Sequence, residues 1–492
     1  MRRKINEDNQ PKAISKIADI FFIVVAFAFV MINCIFGGYV VKFDVLPTIY
    51  LVTVLIILSI FSILAMIILI SKKCSVILKV LIAILVIGLS SAYIYGISYI
   101  KATMTFMDTM TTEITETEEY YIVTLSDSKY ISLELLEGNS IYTFMADEDY
   151  TDIKDGILSK ITVDFKDDSN IKKLAEMLLD SRISAVLISK SQYDMLAEEY
   201  ESFIYKTKKL YTVTHKIKKL EEESKEETSL KEDDTILNGT FNIYVSGIDT
   251  SGKISNVARS DANILVTVNT KTHSILVTSI PRDYYVTLHS KGIKDKLTHS
   301  GIYGIKETYS SVEDLLGIDI QYYLRVNFTS LEKIVDALGG VNVYSEYAFS
   351  TANYNFKKGY NYLDGKMALA FSRERLSFAS GDRQRIKNQQ EVIESIINKV
   401  LTSETILTKY TALLQSLSNS FQTNISTEEI SHIIKGQLNN MTGWSIQMQA
   451  LDGTGAYMPT YSYGSELLYV MMPDENTVSE AIVKIKDVLE SK

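Results

Sequence analysis

Three long apolar runs fill most of the first hundred residues and constrain this chain more than any other feature. They cover about Ile20 to Val41, Ile49 to Ile70 and Val80 to Ile100. Each approaches the roughly 20 apolar residues that a helix needs to cross a bilayer. Three such runs in succession do not read as buried helices of a soluble core. A cleaved signal peptide does not fit the first, because its apolar run is long and no small-residue cleavage pattern follows. Charge around the runs sets the expected orientation. Arg2, Arg3, Lys4, Lys12 and Lys16 precede the first run, and Lys72, Lys73 and Lys79 lie between the second and third. The loop between the first and second carries only Lys42. The positive-inside rule therefore predicts a multi-pass cell-membrane protein with a cytoplasmic N-terminus. Everything after about Lys101 is then outside, away from cytosolic ATP.

A chain of 492 residues is long enough for two or three units. Its balance of 50 Lys+Arg against 60 Asp+Glu argues against nucleic-acid binding, which usually leaves a basic footprint. Cys34 and Cys74 both lie in the apolar part, so nothing after Cys74 can form a disulfide or a thiolate metal site. The expected division is a cytoplasmic N-terminus with three transmembrane helices (1–101), an extracellular accessory domain (102–220), a charged linker (221–237) and a larger domain (238–492). In the accessory part, IKKLAEMLLDSRISAVLI (171–188) reads as an amphipathic helix, a turn and a buried strand. No catalytic pattern occurs there. EEESKEETSLKEDD (221–234) has eight acids and two lysines and cannot bury a core.

From Phe241 strand and helix patterns alternate. FNIYVSGID (241–249), DANILVTVN (261–269) and SILVTSIPRD (274–283) read as strands, the last running into a Pro-Arg-Asp loop. TSLEKIVDALGG (329–340) reads as a helix with Thr329 and Glu332 as its capping box. VNVY (341–344) is a short strand and LDGKMALAFSRER (363–375) another helix. This alternation predicts an α/β fold, with helices covering a central sheet.

Against the acidic background, SRERLSFASGDRQRIK (372–387) gathers Arg373, Arg375, Arg383, Arg385 and Lys387. Asp382 can cap a helix whose apolar stripe is Val392, Ile393, Ile396, Ile397 and Val400. Extended backward at helical spacing, that stripe reaches Gln389 and Arg385, which places both toward the core and leaves Arg383 and Lys387 in solvent. A buried guanidinium requires an anionic partner, either a protein carboxylate or a bound anion near a helix N-terminus. Arg373 and Arg375 can act together only where a helix end runs into irregular chain. Asp249, Arg259, Asp261 and Arg282 fall at strand ends. Carboxylates and arginines so placed suit a divalent cation and phosphates, since Mg²⁺ favours one or two carboxylates plus phosphate oxygens and arginine binds phosphate bidentately. The five histidines lack zinc spacing, no P-loop is present, and GWSIQ (443–447) is not a nucleophile elbow.

The ordered set IYVSGID, RSDANILVTVN, SIPRD, KLTHSGIYG, VNFTSLEKIVDALGGVNV, LDGKMALAFSRER and GDRQRIKNQQEVI resembles the LytR-CpsA-Psr family over about residues 238–402. Three spans and an accessory domain before it look like the capsule-biosynthesis type. The resemblance implies an α-β-α sandwich-like domain with a central mixed sheet and an apolar tunnel, joined to a small α/β accessory domain. It implies an extracytoplasmic phosphotransferase that moves a glycopolymer, here a capsular polysaccharide, from an undecaprenyl-pyrophosphate carrier to peptidoglycan. Asp249 and Asp261 resemble the Mg²⁺-binding aspartates, with Mn²⁺ as the alternative ion. Arg259, Arg282, Arg373 and Arg375 resemble the arginines around the pyrophosphate, and Asp382, Arg385 and Gln389 match further polar residues of that site. Where many members carry a second arginine before the Gln, this chain has Asn388. Other readings are a polyprenyl-pyrophosphate phosphatase with the same site, and a non-catalytic membrane regulator of polymer assembly.

Overall fold

The computed structural model describes residues 10–111, 117–144, 150–216, 235–248, 254–402, 420–439 and 443–491. The acidic stretch 221–234 and Asp249 lie outside these residues, as does the side chain of Asp382. The chain divides into two compact units, the first built from residues 1–109 and 426–442 and the second from most of the remainder.

In the first unit, α1 (Gln10–Phe43), α2 (Thr48–Ile70) and α3 (Val76–Thr111) contain the three apolar runs. At 1.5 Å per residue the shortest, with 23 residues, is about 34 Å long and exceeds a hydrocarbon core of about 30 Å. A seam of Phe22, Ala26, Phe29, Ala65, Leu69, Ala83 and Val86 packs the helices together. Ile56, Ile57, Ile60, Leu64 and Ile67 of α2 point outward and are exposed. A bundle bathed in water would present polar residues there, so this surface suits lipid. All three helices are long and apolar enough to span a membrane. Lys79 at the start of α3 reaches Asp19 of α1 at 3.5 Å. The helix Thr427–Asn439 also belongs to this unit.

The second unit begins with a five-stranded sheet, ordered β3-β2-β4-β1-β5, from β1 (Thr117–Leu125), β2 (Ser140–Phe144), β3 (Asp164–Asp168), β4 (Ala185–Ser189) and β5 (Thr207–Lys216). Successive residues of β1 face opposite sides, and both sides are covered. Tyr120 and Ile122 pack with Tyr150, Ile153 and Ile157 of α4 (Tyr150–Leu158). Tyr121 and Val123 pack with α5 (Ile171–Leu179), α6 (Lys190–Glu199) and Phe203 of α7 (Glu201–Lys206). The expected helix, turn and strand over 171–188 are α5 and β4.

A six-stranded mixed sheet follows, ordered β16-β11-β6-β7-β8-β17. Its strands are β6 (Thr240–Ile248), β7 (Ser260–Asn269), β8 (Ser274–Ile280), β11 (Tyr322–Asn327), β16 (Phe421–Thr423) and β17 (Ser445–Ala450). The short β9 (Tyr285–Thr287) and β10 (Lys294–Lys296) pair beside it and lead into α8 (Leu297–Ser300). Leu276 and Ile280 on one face pack with α9 (Ile305–Leu316) and the C-terminal helix α13 (Glu475–Glu490). Ser279, on the alternate face, accepts from Gln390 of α12 (Asp382–Thr402) at 3.0 Å. Around α12, a second core joins α10 (Phe328–Ala337), α11 (Gly365–Arg373), β12 (Val341–Ser345), β13 (Phe349–Ser350), β14 (Asn355–Phe356) and β15 (Gly359–Leu363). The sheet lies between helical layers, as an α-β-α sandwich requires. Residues 443–491 complete it with β17, the hairpin β18 (Gly453–Thr460) and β19 (Gly464–Pro473), and α13.

One local expectation is corrected. The capping box of α10 is Asn327 with Ser330, not Thr329 with Glu332. Strand β11 feeds straight into the helix, so the last extended residue, Asn327, takes the cap.

Candidate active site

Topology brings Arg259, Asp261 and Arg282 to one end of the mixed sheet. β7 runs antiparallel to both β6 and β8, so the end of β6, the start of β7 and the end of β8 coincide. The Cα register pairs Ile248 with Ser260, and Asn263 with Ile280. Ile248 at the end of β6, the Arg259–Asp261 segment and Arg282 therefore share one edge. β11 is parallel to β6 and adds its own C-terminal end, Asn327, to that edge.

Beneath the edge the polar groups are fixed by a buried network. Ser246 and Ser260 hydroxyls lie 2.7 Å apart, Asn263 Nδ2 donates to the Ser260 carbonyl at 3.0 Å, and Tyr244 donates to Asn263 Oδ1 at 2.5 Å. Gly301, in the loop after α8, presses on the same segment. A Cβ there would stand 2.5 Å from the Ala258 carbonyl and 2.7 Å from the Ser260 nitrogen, so only glycine permits this approach.

Asp261 is the central anion. Its Oδ1 accepts from Arg282 Nη1 at 2.7 Å and from the Thr298 hydroxyl at 2.9 Å. Burial works against its charge, but Arg282, then Arg259 and Arg385, together with Thr298, outweigh it and hold the carboxyl far below the ordinary carboxylate range. Arg385 is 5% exposed, as the helical stripe predicts, whereas Arg383 and Lys387 are exposed. Those two still have partners. Arg383 Nε donates to Asp452 Oδ1 at 2.7 Å and Lys387 reaches Glu346 at 3.3 Å.

Arg259, Arg282, Lys296 and Arg375 line one cleft of about 240 Å³, with Asp283, Thr298 and His299. A second cavity of about 510 Å³ shares Asp283 and Arg375. Helix α11 ends at Arg373 and Glu374 turns the chain extended, which frees Arg375 to enter the cleft. Arg373 is exposed, with its guanidinium 4.1 Å from the Phe328 ring centroid. Gln389 is half-buried and donates to the Ser372 carbonyl at 3.4 Å, tying α12 to the end of α11. The position of Asp249 and the side chain of Asp382 lie outside the described residues.

Sequence reasoning assigned no role to several cleft residues. Asp283 and Lys296 pair at 3.3 Å, and His299 Nδ1 lies 2.6 Å from Asp295 Oδ1. Their signal was present, because SIPRD and KLTHSGIYG contain Asp283, Lys296, Thr298 and His299. The opposite wall carried no sequence signal. It is formed by Met195 of α6 with Tyr463, Leu468 and Tyr469 of the β18–β19 hairpin. Tyr463 and Leu468 also belong to the core that packs on the five-stranded sheet. Gly464, at φ +89°, makes the turn, and a Cβ there would meet the Ser169 carbonyl at 2.4 Å.

Among the described residues no group of three or more His, Cys, Asp or Glu could hold a metal. Asp261 Oδ2 makes no hydrogen bond among the described residues, since both of its contacts are to Oδ1. One open carboxylate oxygen beside several arginines fits an ion such as Mg²⁺, which takes one or two carboxylates and completes its shell with other oxygens and water. It does not fit an all-protein cage.

A mixed sheet covered by helices, with guanidinium groups gathered around one carboxylate at its edge, defines an α/β domain with a cationic cleft. Known proteins place it further. The LytR_cpsA_psr family model matches residues 203–476, more than half of the chain. The chain is 34% identical over 254 residues to the polyisoprenyl-teichoic acid–peptidoglycan teichoic acid transferase TagU of Bacillus subtilis, covering 51% of this chain and 78% of that protein. The crystal structure of B. subtilis TagU aligns at 33% identity over 51% of this chain and 98% of that one, with a TM-score of 0.40. A structure of TagT bound to LIIa-WTA aligns at 27% identity, 52% and 92% coverage and a TM-score of 0.42. The chain belongs to the LytR-CpsA-Psr family, and with that family it is a transferase.

Proposed function

We propose that this protein transfers a glycopolymer from a polyprenyl-pyrophosphate carrier onto peptidoglycan, outside the cell membrane. The observation that carries the proposal is the convergence of Arg259, Arg282, Lys296 and Arg375 on one cleft, two of them also acting on Asp261. Four cations on so small a cleft suit a diphosphate, and the strongest hydrogen bonds available to them are charge-assisted ones to phosphate oxygens. Relatives named as polyisoprenyl-teichoic acid transferases support a lipid-linked donor and peptidoglycan as acceptor. The three-helix anchor and the accessory domain favour a capsular polysaccharide as the polymer. The lysines and arginines flanking the apolar runs support an outside position for the cleft.

In the mechanism, Arg375, Arg259 and Lys296 bind the donor phosphates, and Arg282 is held in place by Asp261. Phosphoryl transfer is largely positioning and charge stabilisation, which these residues supply without a protein nucleophile. Asp261, with Asp249, would hold a Mg²⁺, which when bound spreads the developing phosphate charge.

Arg375 is the residue to test, because it is half-buried, lines both cavities and lies in a loop. Losing a charge-assisted bond worth about 1.5–3 kcal/mol should weaken binding of a polyprenyl-pyrophosphate glycolipid about 10- to 100-fold in Arg375→Ala. The melting temperature should not change. Parental affinity in this variant, measured by titration calorimetry, would remove the diphosphate from the cleft.

A further inference from the structure

The proposed reaction needs a group that takes a proton from the attacking hydroxyl, and the two carboxylates described at the cleft, Asp261 and Asp283, are poorly suited to it. Asp261 is engaged by Arg282 and Thr298. Asp283 is buried 3.3 Å from the Lys296 ammonium, with Arg282 Nε at 3.9 Å. Each carboxylate is matched to a cation and would give up that match on taking a proton.

His299 is different. Its side chain is only 4% exposed, yet it lines the cleft. Asp295 beneath it is fully buried and accepts four hydrogen bonds. Its Oδ1 lies 2.7 Å from the Lys296 backbone nitrogen and 2.6 Å from His299 Nδ1. Its Oδ2 takes the Ser462 backbone N–H at 2.8 Å and the Ser462 hydroxyl at 2.5 Å. The Ser462 oxygen is in turn 2.8 Å from the Tyr303 hydroxyl. A carboxylate with three other donors fixed on it can only accept from the imidazole. Nδ1 therefore carries the hydrogen, and the neutral form of the ring has its lone pair on Nε2. Nε2 makes no hydrogen bond among the described residues. A histidine oriented by a buried carboxylate, with its other nitrogen at a reaction cleft, has the construction of a general base.

We propose that His299 is the general base of the transfer, positioned by Asp295, which Ser462 anchors from the hairpin. The inference rests on the function proposed above. Nε2 takes the proton of the acceptor hydroxyl as that oxygen bonds to the polymer-linked phosphorus. The bond from this phosphorus to the bridging oxygen breaks, and its electron pair leaves with polyprenyl phosphate. Asp295 stabilises the imidazolium until the proton passes to solvent. The ionisable groups sharing the cleft with His299 are Arg259, Arg282, Asp283, Lys296, Arg375, Tyr463 and Tyr469, and Asp295 and Tyr303 stand behind it.

The test uses the full-length protein in detergent with a polyprenyl-pyrophosphate glycolipid and peptidoglycan. His299→Asn keeps a donor toward Asp295 but has no base. It should lower kcat about 10²- to 10⁴-fold, leave the glycolipid Kd within about threefold and abolish the acid limb of the kcat–pH profile. Added imidazole should restore part of the rate in His299→Gly. Parental kcat in a folded His299→Asn would overturn the base while leaving the transfer intact. A wild-type enzyme that transfers nothing would overturn the function itself, and the base with it. Should neither variant fold, the wild-type profile still decides: a kcat that does not fall on acidification overturns the proposal.

Discussion

Replacing Asp261 should damage stability and catalysis together. Arg282 is buried against it, and Arg259 and Arg385 share its field. Asp261→Ala removes the anion and leaves those guanidinium groups to repel one another, and breaking such a buried pair costs about 3–5 kcal/mol. Domains have only about 5–15 kcal/mol in hand, so the melting temperature should drop sharply. Asp261→Asn keeps the shape and the Thr298 hydrogen bond but not the charge. It should fold, with kcat lower by about 10²- to 10³-fold because the preorganised field over the phosphates is gone. The pH dependence has a definite sign. The folded carboxyl is depressed below its ordinary 3.8, so its contribution is complete above about pH 4 and is lost as pH falls toward the folded value. In denaturant melts without divalent cation, the wild type should lose stability in that acid window, and Asp261→Asn should lose less. An Asp261→Ala protein that melts with the parent and turns over normally would contradict this.

Leu468→Asp should have the second-largest effect, from outside the ring of charges. Leu468 is 6% exposed in the cluster with Tyr121, Ile188 and Met195. A carboxylate there loses its solvation without a partner, at a cost of about 3 kcal/mol or more. For a unit of this size that is roughly 4 °C in melting temperature. The same hairpin carries Ser462 at its tip, and the Met471 nitrogen donates to the Asp283 carbonyl at 2.7 Å. Undocking it should therefore reduce turnover as well. Leu467→Asp is the internal control. It is the preceding residue, faces the other way and is 61% exposed, so both readouts should stay at parental values. Equal effects from the two changes, by calorimetry and activity, would show that the docking does not matter.

The parts of this site that were legible in the sequence follow local rules. Helical spacing alone sorted SRERLSFASGDRQRIK into a buried Arg385 and exposed Arg383 and Lys387, because the stripe through Val392 and Ile396 fixes the rotation of α12. Strand endings put Arg259, Asp261 and Arg282 at one edge once the antiparallel register of β6, β7 and β8 was known. Contacts between distant segments were not legible. Asp295 and Ser462 are 167 residues apart, and nothing around either residue announces the other. The Arg383–Asp452 pair spans 69 residues and lies at the surface, so the exposed guanidinium has a partner that its local pattern does not announce. The accessory part showed no catalytic pattern because its contribution, Met195, is an apolar wall rather than a chemical group. The capping box of α10 was displaced by two residues because a strand entering a helix without a loop shifts the point at which the backbone turns.

The central claim is that one cleft passes a phosphoryl-linked polymer from a lipid carrier to a hydroxyl of peptidoglycan. Mass spectrometry of the products, with purified full-length protein, a polyprenyl-pyrophosphate glycolipid, peptidoglycan and ¹⁸O-water, tests it most directly. The predicted result is equal amounts of polyprenyl phosphate and peptidoglycan-linked phosphodiester, with no ¹⁸O in the phosphodiester. Polymer phosphate carrying ¹⁸O, with no peptidoglycan adduct, would make the protein a hydrolase and contradict the account.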